Sequence, residues 1–82
     1  MRSGRGKIMT LASLEPGQNA RIVGVPTGTG SSQRLRDLGL ISGEFVRVLK
    51  KAPLGDPIEL RIMNYDLCIR KAEAEGILVE PV

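Results

Sequence analysis

Histidine and tryptophan are absent from this 82-residue chain, and cysteine, phenylalanine and tyrosine occur once each. Each absence excludes something. Without histidine there is no ordinary acid–base group that titrates near neutral pH. No serine stands in a G-x-S-x-G setting, and Cys68 has no evident activating neighbour, so nucleophilic catalysis has no candidate and a non-enzyme is expected. A single cysteine forms no internal disulfide, which fits a reducing compartment and predicts a cytoplasmic protein. No apolar run approaches the ~18 residues of a membrane span, and the N-terminus lacks the apolar stretch of a signal peptide. With Phe45 and Tyr65 the only aromatics, the core must be built from Leu, Ile and Val.

What is present is ordinary for a globular domain: 41% hydrophobic and 26% charged residues. A chain of this length holds one domain and buries about 60–65% of its unfolded surface, so its core is thin. The net charge of +3 and the pI of 9.5 invite a nucleic-acid reading. The distribution opposes it. Three of the twelve basic residues (Arg2, Arg5 and Lys7) precede Met9, leaving nine basic and nine acidic residues beyond it. Counterion release needs several phosphate contacts at once, and a neutral domain does not supply them. The expected organisation is a flexible basic leader over residues 1–8, with Met9 as an alternative start, and a single domain over residues 9–82.

Along the domain, Thr10 can cap one helical turn carrying Leu11 and Leu14. Pro16-Gly17 fits a type II turn, and residues 20–25 read as a strand with Ala20, Ile22 and Gly24 on one face. Residues 26–33 are a loop by composition; their GTG matches neither phosphate-binding consensus. A helix is predicted from Gln33 to Leu38, capped by Ser31 or Ser32. Gly39 fits the left-handed residue that ends it, with Leu35 and Leu40 as the apolar pair of a Schellman end. Ser42-Gly43 leads into a strand over 44–51. The two turns echo one another: Leu14-Glu15-Pro16-Gly17 before Arg21-Ile22, and Leu40-Ile41-Ser42-Gly43 before Arg47-Val48. Residues 52–57 form a loop. Ile58, Leu60 and Ile62 alternate with polar or outward residues in the clearest strand. Asn64 is expected in a left-handed turn, Leu67 and Ile69 on one face of the next strand, residues 71–76 in a helical turn, and Ile77 to Val79 in the last strand. At least five short strands with little helix predict a mainly β fold, a small five-to-six-stranded barrel with a short helical insertion.

The runs Leu14-x-Pro16-Gly17, Arg34-Leu35-x-Asp37-Leu38-Gly39-Leu40-x-x-Gly43, Pro53-Leu54-Gly55-Asp56-Pro57-Ile58 and Ile69-Arg70-x-x-Glu73-Ala74-x-x-Ile77-x-Val79 resemble the ferrous iron transport protein A (FeoA-like) family over residues 9–82. The resemblance implies an SH3-like barrel. It implies a small cytosolic accessory protein that binds the cytosolic region of a membrane ferrous iron transporter carrying a GTPase domain, and modulates transport. The same domain is similar to the C-terminal module of diphtheria-toxin-repressor-type metalloregulators. The alternative is therefore a metal-responsive SH3-like module acting with a separate DNA-binding repressor. Departures from the family pattern at Asn64-Tyr65, Ile69 and Gly76 touch turns and packing.

Metal chemistry has a weak basis in the residues. Cys68 lies between apolar neighbours and reads as a buried structural thiol. Glu73 and Glu75 do not converge, and no carboxylates are spaced as a ligand set. No cofactor and no metal-ligating residue are expected; weak divalent metal binding, or metal held between two molecules, stays open. The candidates for partner contact are Arg34, Arg36 and Asp37 on the outer side of the helix, and Leu54, Gly55, Asp56 and Pro57 in the double-proline loop. The expected partner is the transporter, with neither nucleic acid nor direct membrane insertion, and the oligomeric state is open.

Overall fold

A computed structural model describes residues 7–26 and 30–82. Lys7 and Ile8 are thus the described part of the expected leader, and 27–29 of the expected loop lie outside the described residues. The elements are β1 (Met9–Thr10), a 3₁₀ turn (Leu11–Ser13), β2 (Asn19–Gly24), α1 (Gly30–Asp37), β3 (Phe45–Lys51), β4 (Ile58–Ile62), β5 (Tyr65–Ile69), α2 (Lys71–Ala74) and β6 (Leu78–Pro81). Among the described residues six antiparallel strands form one sheet in the order β1-β6-β2-β3-β4-β5. The mainly β fold with a short helical insertion is as expected, with β1 an addition.

Period-two alternation decides which residues go inside. Ala20 and Ile22 of β2, Val46 and Val48 of β3, Ile58, Leu60 and Ile62 of β4, Ile69 of β5 and Val79 of β6 are all buried. Leu11 and Leu14 from the 3₁₀ turn, Leu35 from α1, Leu40, Ala74 and Ile77 complete the same cluster. Each fully buried Leu, Ile or Val stabilises the fold by about 1.5–3 kcal/mol in transfer terms.

The two echoing turns sit at opposite ends of the β2–β3 pair. Gly17 (φ 93°) and Gly43 (φ 96°) both take the left-handed conformation in which L-residues are strained. The Gly17 amide donates to the Val48 carbonyl at 2.7 Å, and the Gly43 amide donates to the Ile22 carbonyl at 2.7 Å. Each turn is therefore fastened to the strand that the other one opens, which aligns β2 with β3.

The end of α1 has the expected Schellman geometry. Leu40 N–H donates to Leu35 O at 3.0 Å, Gly39 N–H donates to Arg36 O at 3.0 Å, and Gly39 has φ 101°. Its start differs: α1 begins at Gly30, so part of the predicted loop is helical and Ser32 lies inside the helix, buried, rather than capping it. Ser32, a residue that favours caps and turns, is helical here with its side chain buried, tertiary packing overriding local propensity. Thr10 makes no side-chain cap; its hydroxyl bonds to that of Ser13 at 2.8 Å. At the β4–β5 hairpin, Ile62 pairs with Tyr65, so Met63 and Asn64 form a two-residue turn. Met63 (φ 57°), not Asn64, takes the positive φ that a hairpin turn demands at its first central position.

Candidate partner-binding site

The short helix α2 gathers both groups of candidate residues. Glu73 is the joint. One of its carboxylate oxygens accepts the Arg70 backbone N–H at 2.9 Å, which caps α2, and the other accepts from Arg34 Nη1 at 2.6 Å. The Glu73 side chain is only 12% exposed, that of Arg34 is 49% exposed, and the bond ties α1 to α2. On the other side of the same turn, Asp56 Oδ1 accepts the Lys71 backbone N–H at 2.9 Å, with Arg70 Nη2 at 3.6 Å from Oδ2. A carboxylate serves both places because an ion accepting backbone N–H bonds satisfies donors that a helix start leaves orphaned.

The predicted residues therefore divide. Arg34 is a structural tie as well as a surface cation. Arg36 is half-buried and donates to the Pro26 carbonyl at 3.3 Å. Asp37 is exposed and accepts from Gln33 Nε2 at 2.9 Å. Asp56 anchors its loop. Gly55 (φ 80°) closes a turn by donating to Ala52 O at 2.7 Å, and Pro57 is exposed behind a cis Asp56–Pro57 bond. Leu54, at the tip of this fastened loop, is 89% exposed. An aliphatic side chain held out by a turn, a carboxylate anchor and two prolines loses little conformational freedom when a partner covers it.

The position of Cys68 corrects the sequence reading. Cys68 is exposed, not buried. Its neighbours Leu67 and Ile69 point inward, so strand alternation turns the thiol out. It stands opposite Glu59 on β4, in a row with Lys50 of β3. Glu73, absent from the expected site residues, closes the Arg70-x-x-Glu73 run; that spacing is the N-cap-to-N3 reach of a capping carboxylate and is its signal in the sequence. Elsewhere on the outer face, the Arg61 fork meets Asp66 at 2.7 and 3.2 Å. That hydrogen bond, followed by the guanidinium's charge, holds the Asp66 carboxyl below its ordinary range and raises Arg61. Among the described residues no group of three or more His, Cys, Asp or Glu side chains converges as a metal set. No helix among them is long and apolar enough to cross a membrane.

The chain is 36% identical over 72 residues to the Fe(2+) transport protein A/Fe(2+) transporter FeoB fusion protein of Porphyromonas gingivalis, covering 88% of this chain and 8% of that one. It thus spans a small part of that relative's length. The solution structure of the FeoA protein of Chlorobium tepidum is 42% identical, with a TM-score of 0.83, over 90% of this chain and 70% of that one. FeoA of Stenotrophomonas maltophilia, solved with zinc and described as a procaryotic SH3 domain protein, is 30% identical, with a TM-score of 0.75, over 88% and 89% of the two chains. A manganese-dependent transcriptional repressor shares the fold alone, at 14% identity and a TM-score of 0.82 over 93% of this chain and 42% of that one. The FeoA domain profile matches residues 9–81; with an SH3-like fold and these relatives, the chain belongs to the FeoA family.

Proposed function

We propose that this chain is an accessory module of ferrous iron uptake, working on the cytoplasmic side, which binds the cytosolic, GTPase-bearing region of the ferrous iron transporter and modulates transport. The observation that carries the reading is Leu54, 89% exposed on a loop fastened to α2 by Asp56. Such an anchor, with the half-exposed Arg34 tied to the same helix α2 through Glu73, supplies the aliphatic and arginine side chains in which interface centres are rich. The fusion of the related domain to FeoB in the Porphyromonas gingivalis protein supports the choice of partner. So does the description of the Stenotrophomonas maltophilia protein as a suggested ferrous iron transport activating factor. The reading assigns binding rather than catalysis and no resident cofactor.

The test uses Leu54 because the fold does not depend on it. Purified protein is titrated with the transporter's soluble GTPase domain, with and without nucleotide and Fe²⁺. Leu54→Ala is expected to weaken binding by about 5- to 30-fold, a loss of roughly 1–2 kcal/mol for an interface anchor. Its stability should stay within about 0.5 kcal/mol of wild type. Equal binding by wild type and Leu54→Ala would remove this face from the reading. Absence of contact with the domain and with the intact transporter, together with normal iron uptake after deletion, would remove the reading itself.

A further inference from the structure

A groove opens on the outer side of the sheet, lined by Lys50, Lys51, Ala52, Pro53, Pro57 and Cys68, with Glu59 between Lys50 and Cys68. It follows the cross-strand row Lys50–Glu59–Cys68 over β3, β4 and β5. Three strands span about 10 Å, the length of three or four residues of extended chain. One wall is the loop that carries Leu54. Beyond that loop lies Lys71, whose Cδ comes within 4.0 Å of where a side chain on Gly55 would start.

The charges around this wall do not balance. Lys50, Lys51 and Glu59 line the groove, and Arg70, Lys71 and Asp56 lie at or beyond its loop wall, four cations to two carboxylates. Asp56 is already engaged by the Lys71 backbone and by Arg70. Glu59 reaches Lys50 only at 3.9 Å, with the Lys50 side chain 76% exposed. Lys51 donates one of its protons to the Ala12 carbonyl at 2.9 Å and keeps two. The Lys71 ammonium has no partner among the described residues. Surplus cations beside a slot floored by apolar carbon and an exposed leucine call for an anionic chain that also brings an aliphatic group. A groove that follows a row across three strands suits an extended peptide; a lipid surface is flat.

We infer that this groove binds a short, extended acidic peptide segment carrying an aliphatic side chain, with Lys50 in the groove and Lys71 beyond its loop wall meeting its carboxylates, and with Pro53 and Pro57 in the groove and Leu54 at the tip of the wall meeting its apolar group. The inference deepens the transporter reading and rests on it for the place of that segment, in the transporter's cytosolic part. Binding of this kind weakens as salt screens the exposed pairs.

Cys68, the chain's only cysteine, sits in the groove and reports occupancy. The probe is a fluorescein-labelled hexapeptide of alternating Asp and Leu, read by anisotropy on the full chain and by the rate at which a neutral maleimide alkylates Cys68. Saturable binding is expected, with alkylation slowed about tenfold or more at saturation. Lys50→Glu combined with Lys71→Glu should weaken binding by at least about tenfold, since two favourable charge pairs become unfavourable, while leaving the melting temperature near that of wild type. An alternating Lys-Leu peptide should not bind. Unprotected Cys68, or equal binding by the double variant, overturns the inference. Binding to phosphatidylserine vesicles without binding to the peptide overturns it in favour of a lipid surface. The transporter's GTPase domain gives the second arm. If it binds wild type and double variant equally, the groove inference falls and the transporter reading stands. If it binds neither, contact with the intact transporter and iron uptake after deletion decide the transporter reading, and the peptide titration decides the groove by itself.

Discussion

Replacing Glu73 by alanine should cost far more than a surface carboxylate usually does. The side chain is 12% exposed and makes two bonds, to the Arg70 backbone N–H at 2.9 Å and to Arg34 at 2.6 Å. Loss of a capping acceptor costs about 1 kcal/mol. The bond to Arg34 counts at the low end, roughly 0.5 kcal/mol, because that guanidinium is half in water and can be rehydrated. With some lost packing of the side-chain carbons, Glu73→Ala should destabilise by about 1.5–2 kcal/mol. A domain of this size has a total stability of roughly 4–12 kcal/mol. At about 4–8 °C per kcal/mol, the melting temperature should fall by roughly 6–15 °C.

Circular dichroism melts and urea titrations measure the loss, and hydrogen exchange at the Arg70 amide localises it. Glu73→Gln keeps an acceptor for Arg70 and should lose about a third as much. Arg34→Ala should lose only the tie, about 0.5 kcal/mol, and a double-mutant cycle between the two should return a coupling of that size. A Glu73→Ala protein melting within about 2 °C of wild type would refute the account, because no cap or tie of the stated size would then exist.

Other outcomes follow from single contacts. Gly39→Ala should destabilise by about 2–3 kcal/mol in urea titration, because alanine is strained at φ 101° and its Cβ would lie 2.6 Å from the Tyr65 hydroxyl oxygen; removing that oxygen with Tyr65→Phe should recover part of the loss. Asp66 has its pKa lowered in the folded state by Arg61, so the pair's contribution is complete above the unfolded value near 3.9 and is lost as pH falls through the lower folded value. Wild type should therefore exceed Asp66→Asn in urea midpoint at neutral pH, and the gap should close in acid; a gap unchanged at low pH would refute the pair. Cys68 should be alkylated in the native protein without prior unfolding, and protection of the thiol in the free protein would refute its outward placement.

What the sequence disclosed was mostly what is local. The Schellman end at Gly39 and the turns at Gly17 and Gly43 depend on φ values and apolar spacings within six residues, and these were legible. The alternation Ile58, Leu60, Ile62 was legible for the same reason. Misreadings arose where neighbours in space are far apart in the chain. The partner of Arg34 lies 39 residues away and that of Arg36 lies 10 away, so both looked free on the helix surface. Cys68 was read from the apolar character of its neighbours, although the same alternation that turns Leu67 and Ile69 inward must turn it outward.

The double-proline loop that carries Leu54 was legible as short and stiff, but what fastens it to the rest of the fold was not. A leucine on a mobile loop would lose freedom on binding and return little affinity. Here Gly55 closes a turn onto Ala52, Asp56 holds the start of α2, and Glu73 holds α2 to α1. The chain of contacts runs from the tip of the loop to the helix that carries Arg34. A perturbation at Glu73 should thus reach Leu54 without touching it: Glu73→Ala should lower affinity for a partner of the Leu54 face even at temperatures where the protein stays folded. Glu73→Ala that binds as wild type does at such a temperature would show that the loop keeps its shape alone, and that α2 serves stability only.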